Sequence, residues 1–250
     1  MKDRVLMWRW KMVLAAVLVW IAAVWGLCCG AVAEEAASDS SATPEPLEEA
    51  VPWLKINPDT VGYLKVGKII DTPVVQRDSE FYLNHNFYGK RIYEGTVLME
   101  EDCSIFPLDQ HLVLYGHNMR NGHVFGELDR FRALSYLKKN AIVTFDTIYQ
   151  EGQYVVIGVF DISNEDEDPH YMEMLIFNFE DEEFMDFIDE ARERSFFEIP
   201  VDVQPGDRLL SLVTCSYTLP DGRLIVLLRE IRPDEDPEEI QAAIQEIVEK

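Results

Sequence analysis

Strand-like and helix-like patterns of apolar residues alternate along most of this chain. Two apolar runs near its end, Leu209–Val213 and Leu224–Leu228, read as buried strands, and the polar stretch between them turns at Pro220-Asp221-Gly222. A similar run, Leu112–Tyr115, stops at Gly116, and Val61–Val66 follows the turn signal Asn57-Pro58-Asp59. Thr72–Gln76 reads as a short edge strand because it carries Pro73, which cannot donate to a ladder. Ala141–Tyr149 and Gln153–Ile162 flank Glu151-Gly152 and predict a hairpin. Helical spacing appears after His117, where Val124, Phe125, Leu128 and Phe131 predict one helix or two short ones. The clearest helix is Asp181–Arg194: Phe184, Phe187, Ile188 and Ala191 make one stripe, with acids in the first turn and arginines in the last. A final one starts at Asp236-Pro237-Glu238-Glu239, with Ile240, Ala243, Ile244 and Ile247 as its apolar stripe. It reads as folded back on the domain or, in a sharper reading, as a docking element for a partner.

The first 33 residues follow a different rule. Lys2, Arg4, Arg9 and Lys11 outweigh Asp3, and Met12–Ala33 carries no charge. Such a run is long enough to cross a bilayer core of about 30 Å. We read residues 1–33 as a cytoplasmic flank and signal-anchor, with the remainder outside the membrane; cleavage after Ala31-Val32-Ala33 is the rival reading. Residues 34–50, rich in Ala, Ser, Glu and Pro, read as a flexible linker. The globular domain is expected at 51–233 and the terminal helix at 234–250. With 46 acidic against 22 basic residues the net charge is -24, which argues against a nucleic-acid partner.

Candidate chemistry sits at the strand ends. Cys215 closes one strand, Arg223 opens the next, and His117 follows a third. A cysteine thiol near its ordinary pKa is only a few per cent thiolate at neutral pH, so it needs a base nearby. Cys215 as nucleophile, His117 as proton shuttle and Arg223 beside a developing oxyanion suffice for acyl transfer. Thr214 and Ser216 are secondary candidates for contacting substrate or oxyanion. His85 reads as a loop histidine bonded to backbone. His111, His117, His123 and Cys103 match no tetrahedral metal spacing, so no metal site is assigned. Asn164–Asp168 lacks the spacing and glycine of a calcium loop and reads as a solvated loop. Cys103 reads as an ordinary thiol.

The Tyr115–Met119 run YGHNM, the strand end Ser211–Cys215 and the arginine opening the next strand resemble a sortase, a cell-surface cysteine transpeptidase of mainly Gram-positive bacteria. The runs NPDTVGYL, TPVVQ and YLNHNF, in that order, and the long helix before the cysteine strand are similar to class B. This resemblance implies a mainly β fold with peripheral helices, an eight-stranded β-barrel. It implies cleavage of a C-terminal sorting signal after threonine through a Cys215 thioester, and transfer of the acyl group to an amine. The implied partners are surface proteins bearing the signal and an amine acceptor from a cell-wall precursor or a pilin lysine; no cofactor is implied. Two departures stand out: Ser211 replaces the usual threonine, and Val213 and Ser216 stand where many class B members carry a small polar residue and an acid. A cysteine hydrolase and a non-catalytic, membrane-tethered binding module are the alternatives.

Overall fold

The computed structural model describes residues 43–78, 80–163 and 176–247. The proposed membrane anchor, most of the linker and the acidic loop at 164–168 lie outside the described residues. Eight strands follow one another as β1 (Thr60–Val66), β2 (Ile70–Val75), β3 (Leu98–Met99), β4 (His111–Tyr115), β5 (Ile142–Thr147), β6 (Gln153–Ser163), β7 (Leu209–Cys215) and β8 (Gly222–Glu230). They close into a barrel in the order β1-β2-β3-β4-β7-β8-β6-β5, with β5 pairing back onto β1. Most neighbours are antiparallel, while β2–β3 and β4–β7 are parallel. Among the described residues no helix is long and apolar enough to cross a membrane.

The unbroken apolar runs of β7 and β8 have a simple cause. Six of the seven β7 residues are buried, so both faces of the strand are covered, and alternation with polar residues would leave unpaired groups inside. Leu114, Leu212 and Val226, on three neighbouring strands, have no accessible surface. Fully burying each such side chain contributes about 1.5–3 kcal/mol.

Among the described residues four α-helices surround the barrel: α1 (Val51–Ile56), α2 (Leu134–Asn140), α3 (Asp181–Arg194) and α4 (Pro237–Gln245). The helix α3 has the bounds its sequence predicts, because a reciprocal capping box between Glu180 and Glu183 fixes its start. Its stripe, Phe184, Phe187, Ile188 and Ala191, is buried and packs toward β6. Just beyond its end, Ser195 Oγ accepts from Val159 N–H at 3.1 Å, tying it to that strand. The segment after His117 resolves into a 3-10 turn, Leu128–Arg132, followed by α2. The terminal helix α4 folds back onto α2: Ile244 is fully buried, and Gln241 Nε2 donates to the Lys138 carbonyl at 2.7 Å.

Three sequence expectations change. The strand β2 is not an edge, since it pairs with β1 along its length and with β3 at Val75. Its parallel contact with β3 is that single position, so Pro73 sits where little ladder is lost. The linker ends before Ala50, because Leu47 N–H already donates to the Ile148 carbonyl at 2.8 Å. The short helix α1, with proline in its first turn, was not expected.

Candidate active site

The site grows out of the parallel pairing of β4 and β7. His111 lies against Leu209, and the register runs to Tyr115 against Val213. Gly116 N–H extends the ladder by donating to the Val213 carbonyl at 3.2 Å. The same offset, carried forward, sets His117 level with Cys215. On the other side of β7, Cys215 pairs directly with Arg223 of β8. Directly opposed residues in an antiparallel pair project to the same face. One cleft is lined by His117, Cys215 and Arg223, together with Leu83, Glu100 and Tyr115.

Cys215 is half-buried. The His117 ring is held from outside the barrel: Nε2 lies 2.9 Å from the Leu83 carbonyl, and Tyr93 stacks nearly parallel to the imidazole at 6.5 Å. A carbonyl oxygen only accepts, so Nε2 carries a proton toward Leu83. Arg223 Nη1 donates to the Asp221 and Gly222 carbonyls at 3.1 and 3.0 Å, which steadies the guanidinium against the turn. Among the described residues its Nε and Nη2 have no hydrogen-bond partner, which leaves the fork that suits an oxyanion.

Thr214 and Ser216, expected as substrate contacts, point their hydroxyls inward. Thr214 Oγ1 is buried and donates to the Gly116 carbonyl at 2.7 Å. Ser216 Oγ belongs to a closed ring of hydrogen bonds. Arg132 Nη2 donates to it at 3.0 Å, and it lies 2.8 Å from Thr218 Oγ1. Thr218 in turn donates to Asp161 Oδ2 at 2.7 Å, and Asp161 takes both Arg132 Nη atoms at 2.7 Å. Burial opposes the charge on Asp161, but bonds from Arg132, Thr218 and Ser216 outweigh it and hold the carboxyl below its usual range. The ring pins the loop that follows Cys215. Both hydroxyls therefore act as struts, because each already has a strong partner beneath the cleft.

The remaining candidates stand apart from the cleft. His85 bonds the Phe81 carbonyl through Nδ1 at 2.8 Å and stacks on the Phe81 ring. His123 Nδ1 pairs with Glu94 at 3.0 Å on the surface. His111 is fully buried: Nδ1 donates to the Ile176 carbonyl at 2.9 Å, so Nε2 accepts from Ser211 Oγ at 2.9 Å. Burial lowers its pKa to about 4, against the raising effect of the Ile176 carbonyl, so the ring is neutral. The hydroxyl of Ser211 is thus a buried partner for a histidine one strand away. Cys103 is buried, and desolvation pushes its thiol up to about 12. It is an unreactive protonated thiol, unlike a nucleophile.

One residue beside the site lies inside the YGHNM run, yet nothing in that run marks its role. Asn118, next to His117, donates its amide to the Cys215 carbonyl at 2.7 Å and reaches Asp129 at 3.2 Å. A side-chain bond to a backbone carbonyl on another strand leaves no spacing to read.

The family model of the sortase domain matches residues 65–230. The chain belongs to the sortase family. Among curated sortases it is similar to sortase B of Staphylococcus aureus, 28% identical over 182 residues that cover 71% of this chain and 72% of the relative. Sortase B of Listeria monocytogenes is 28% identical over 202 residues, covering 78% and 79%. Among solved sortases, Clostridium perfringens sortase B superposes with a TM-score of 0.67 at 29% identity, over 73% of this chain and 99% of that one. A substrate complex of S. aureus sortase B gives a TM-score of 0.68 at 26% identity, over 76% and 88%. These neighbours share the closed mixed barrel with few helices, the fold expected from the class B resemblance.

Proposed function

We propose that this sortase is a class B cysteine transpeptidase in which Cys215, His117 and Arg223 do the chemistry. The single observation that carries the reading is the cleft lined by all three side chains at the ends of β4, β7 and β8. Cys215 Sγ, its proton passed to His117, attacks the carbonyl carbon of a threonine in a sorting signal. Arg223 stabilises the oxyanion, which is the largest electrostatic contribution in acyl transfer of this type. His117 delivers a proton to the leaving amine as the C–N bond breaks, and a thioester remains on Cys215. An acceptor amine then attacks the thioester, loses its proton to His117, and the thiol is regenerated. One amide bond is exchanged for another, with no net oxidation and no cofactor.

The substrates in this reading are surface proteins with a C-terminal sorting signal, and the acceptor is a cell-wall precursor amine or a pilin lysine. The charge pattern of residues 1–33 supports a single-pass membrane protein with a cytoplasmic N-terminus and an extracellular catalytic domain. The test is exchange: the full-length chain in detergent is incubated with a library of sorting-signal peptides and diglycine. A new peptide–diglycine bond formed by the wild type and absent with Cys215→Ala supports transpeptidation. Hydrolysed peptide alone favours a hydrolase, and no turnover of any peptide by folded protein favours a binding module.

A further inference from the structure

Backbone pairing between β4 and β7 ends just before the residues that matter most. The last paired position is Tyr115 against Val213, with one more bond from Gly116 N–H. Beyond it the two chains are held by side chains. Thr214 Oγ1 reaches the Gly116 carbonyl at 2.7 Å, Asn118 Nδ2 reaches the Cys215 carbonyl at 2.7 Å, and Tyr217 Oη reaches the Asn118 carbonyl at 3.3 Å. Each bond crosses between the 116–118 segment and the 214–217 segment. The last two are reciprocal, since Asn118 gives its side chain to one strand and receives a side chain from it.

We propose that Asn118 and Tyr217 form a clasp that continues the β4–β7 register through side chains, and that Asn118 is a positioning residue for the His117–Cys215 pair. Nothing in the chemistry itself requires an amide here. What the geometry requires is a donor that fixes the Cys215 carbonyl while its own backbone carries the histidine. Asn118 does both, because its amide is oriented by Asp129 at 3.2 Å, which accepts from the same nitrogen. Asp129 also accepts from Arg132 Nε at 3.2 Å, so the clasp is anchored to the ring beneath Ser216. Tyr217 is 73% exposed, so its ring contributes little burial, and its hydroxyl contact is the part that reaches the clasp.

The clasp presupposes that Cys215 and His117 are the reacting pair, and the test separates the two ideas. Full-length wild type, Asn118→Ala, Asn118→Asp, Tyr217→Phe and Cys215→Ala proteins are assayed for peptide–diglycine exchange, with kcat, KM and thermal unfolding measured for each. Small misplacements of reacting groups cost rate more than binding, so Asn118→Ala is expected to lose roughly ten- to a hundredfold in kcat while KM stays nearly constant. Asn118→Asp is expected to be worse than alanine, because a carboxylate cannot donate to the Cys215 carbonyl and faces Asp129. Tyr217→Phe keeps the fold and loses less. Folded Asn118 variants with wild-type kcat overturn the clasp alone. So does a loss that follows the folded fraction, or one confined to KM. Exchange that persists in Cys215→Ala, or none in the wild type, overturns the catalytic reading and the clasp with it.

Discussion

Cys215 and Arg223 are the outermost pair of the β7–β8 ladder and face the same cleft. The turn between them bonds the guanidinium through Nη1, so the cation sits on a rigid support beside the thiol. We predict that Arg223→Ala lowers kcat roughly a hundredfold or more, the cost of removing one preorganised oxyanion donor. Arg223→Lys is expected to recover only part of this, since an ammonium lacks the planar fork. Steady-state exchange kinetics check both.

The His111–Ser211 pair gives a pH prediction. The folded pKa of His111, about 4, lies below the unfolded value of about 6.5. Between these values the unfolded chain binds the extra proton, so stability rises with pH there and is lost as pH falls from about 6.5 toward 4. The loss is on the order of 3 kcal/mol from this group. Chemical denaturation across that window is expected to show a steeper decline for wild type than for His111→Gln. Equal slopes would remove His111 from the explanation.

How much of this was legible in the sequence depended on how local the cause was. The helix α3 could be bounded because its cap, dipole charges and apolar stripe all lie within its own residues. The β5–β6 hairpin was legible for the same reason. The β1–β5 closure is set by strands far apart in the chain, so the barrel came from resemblance rather than from the pattern. Helix α1 is too short for a stripe to repeat, and none of its residues is buried. His117, Cys215 and Arg223 could be proposed from residue type and strand-end position, and the barrel brings them to one cleft. Asn118 and the Arg132–Asp161 ring could not, because each joins segments that meet only in the folded barrel. Ser216 shows the same limit: the sequence offers a hydroxyl beside Cys215, and only its partners reveal a strut.

Gly126 supplies a steric prediction. A Cβ at this position would lie 2.0 Å from the Met119 carbonyl oxygen, a backbone atom that cannot move alone. Met119 follows Asn118, so the displacement passes toward the clasp. Gly126→Ala is expected to destabilise the fold by about 1–3 kcal/mol and to lower kcat beyond that loss. Thermal unfolding beside kinetics separates the two effects.

The terminal helix α4 is docked rather than free. Ile244 is fully buried, so Ile244→Ala is expected to cost about 2–4 kcal/mol by urea denaturation. Replacing the exposed Glu239 with alanine should cost far less. A free, partner-seeking helix would show no difference between them.

Cys103 and Cys215 are expected to differ sharply toward iodoacetamide. Desolvation holds the Cys103 thiol protonated, up to about 12, so it should resist alkylation at pH 8 while Cys215 reacts. Peptide mapping by mass spectrometry distinguishes them, and Cys103→Ala should leave exchange activity intact.

The most direct test of the central claim is capture of the intermediate. The full-length chain would be mixed with a turned-over sorting-signal peptide in the absence of acceptor, quenched in acid and mapped by mass spectrometry. The expected result is an acyl group on Cys215 in thioester linkage, released by hydroxylamine and missing from Cys215→Ala. An acyl group on another residue, or turnover undiminished in Cys215→Ala, would contradict it.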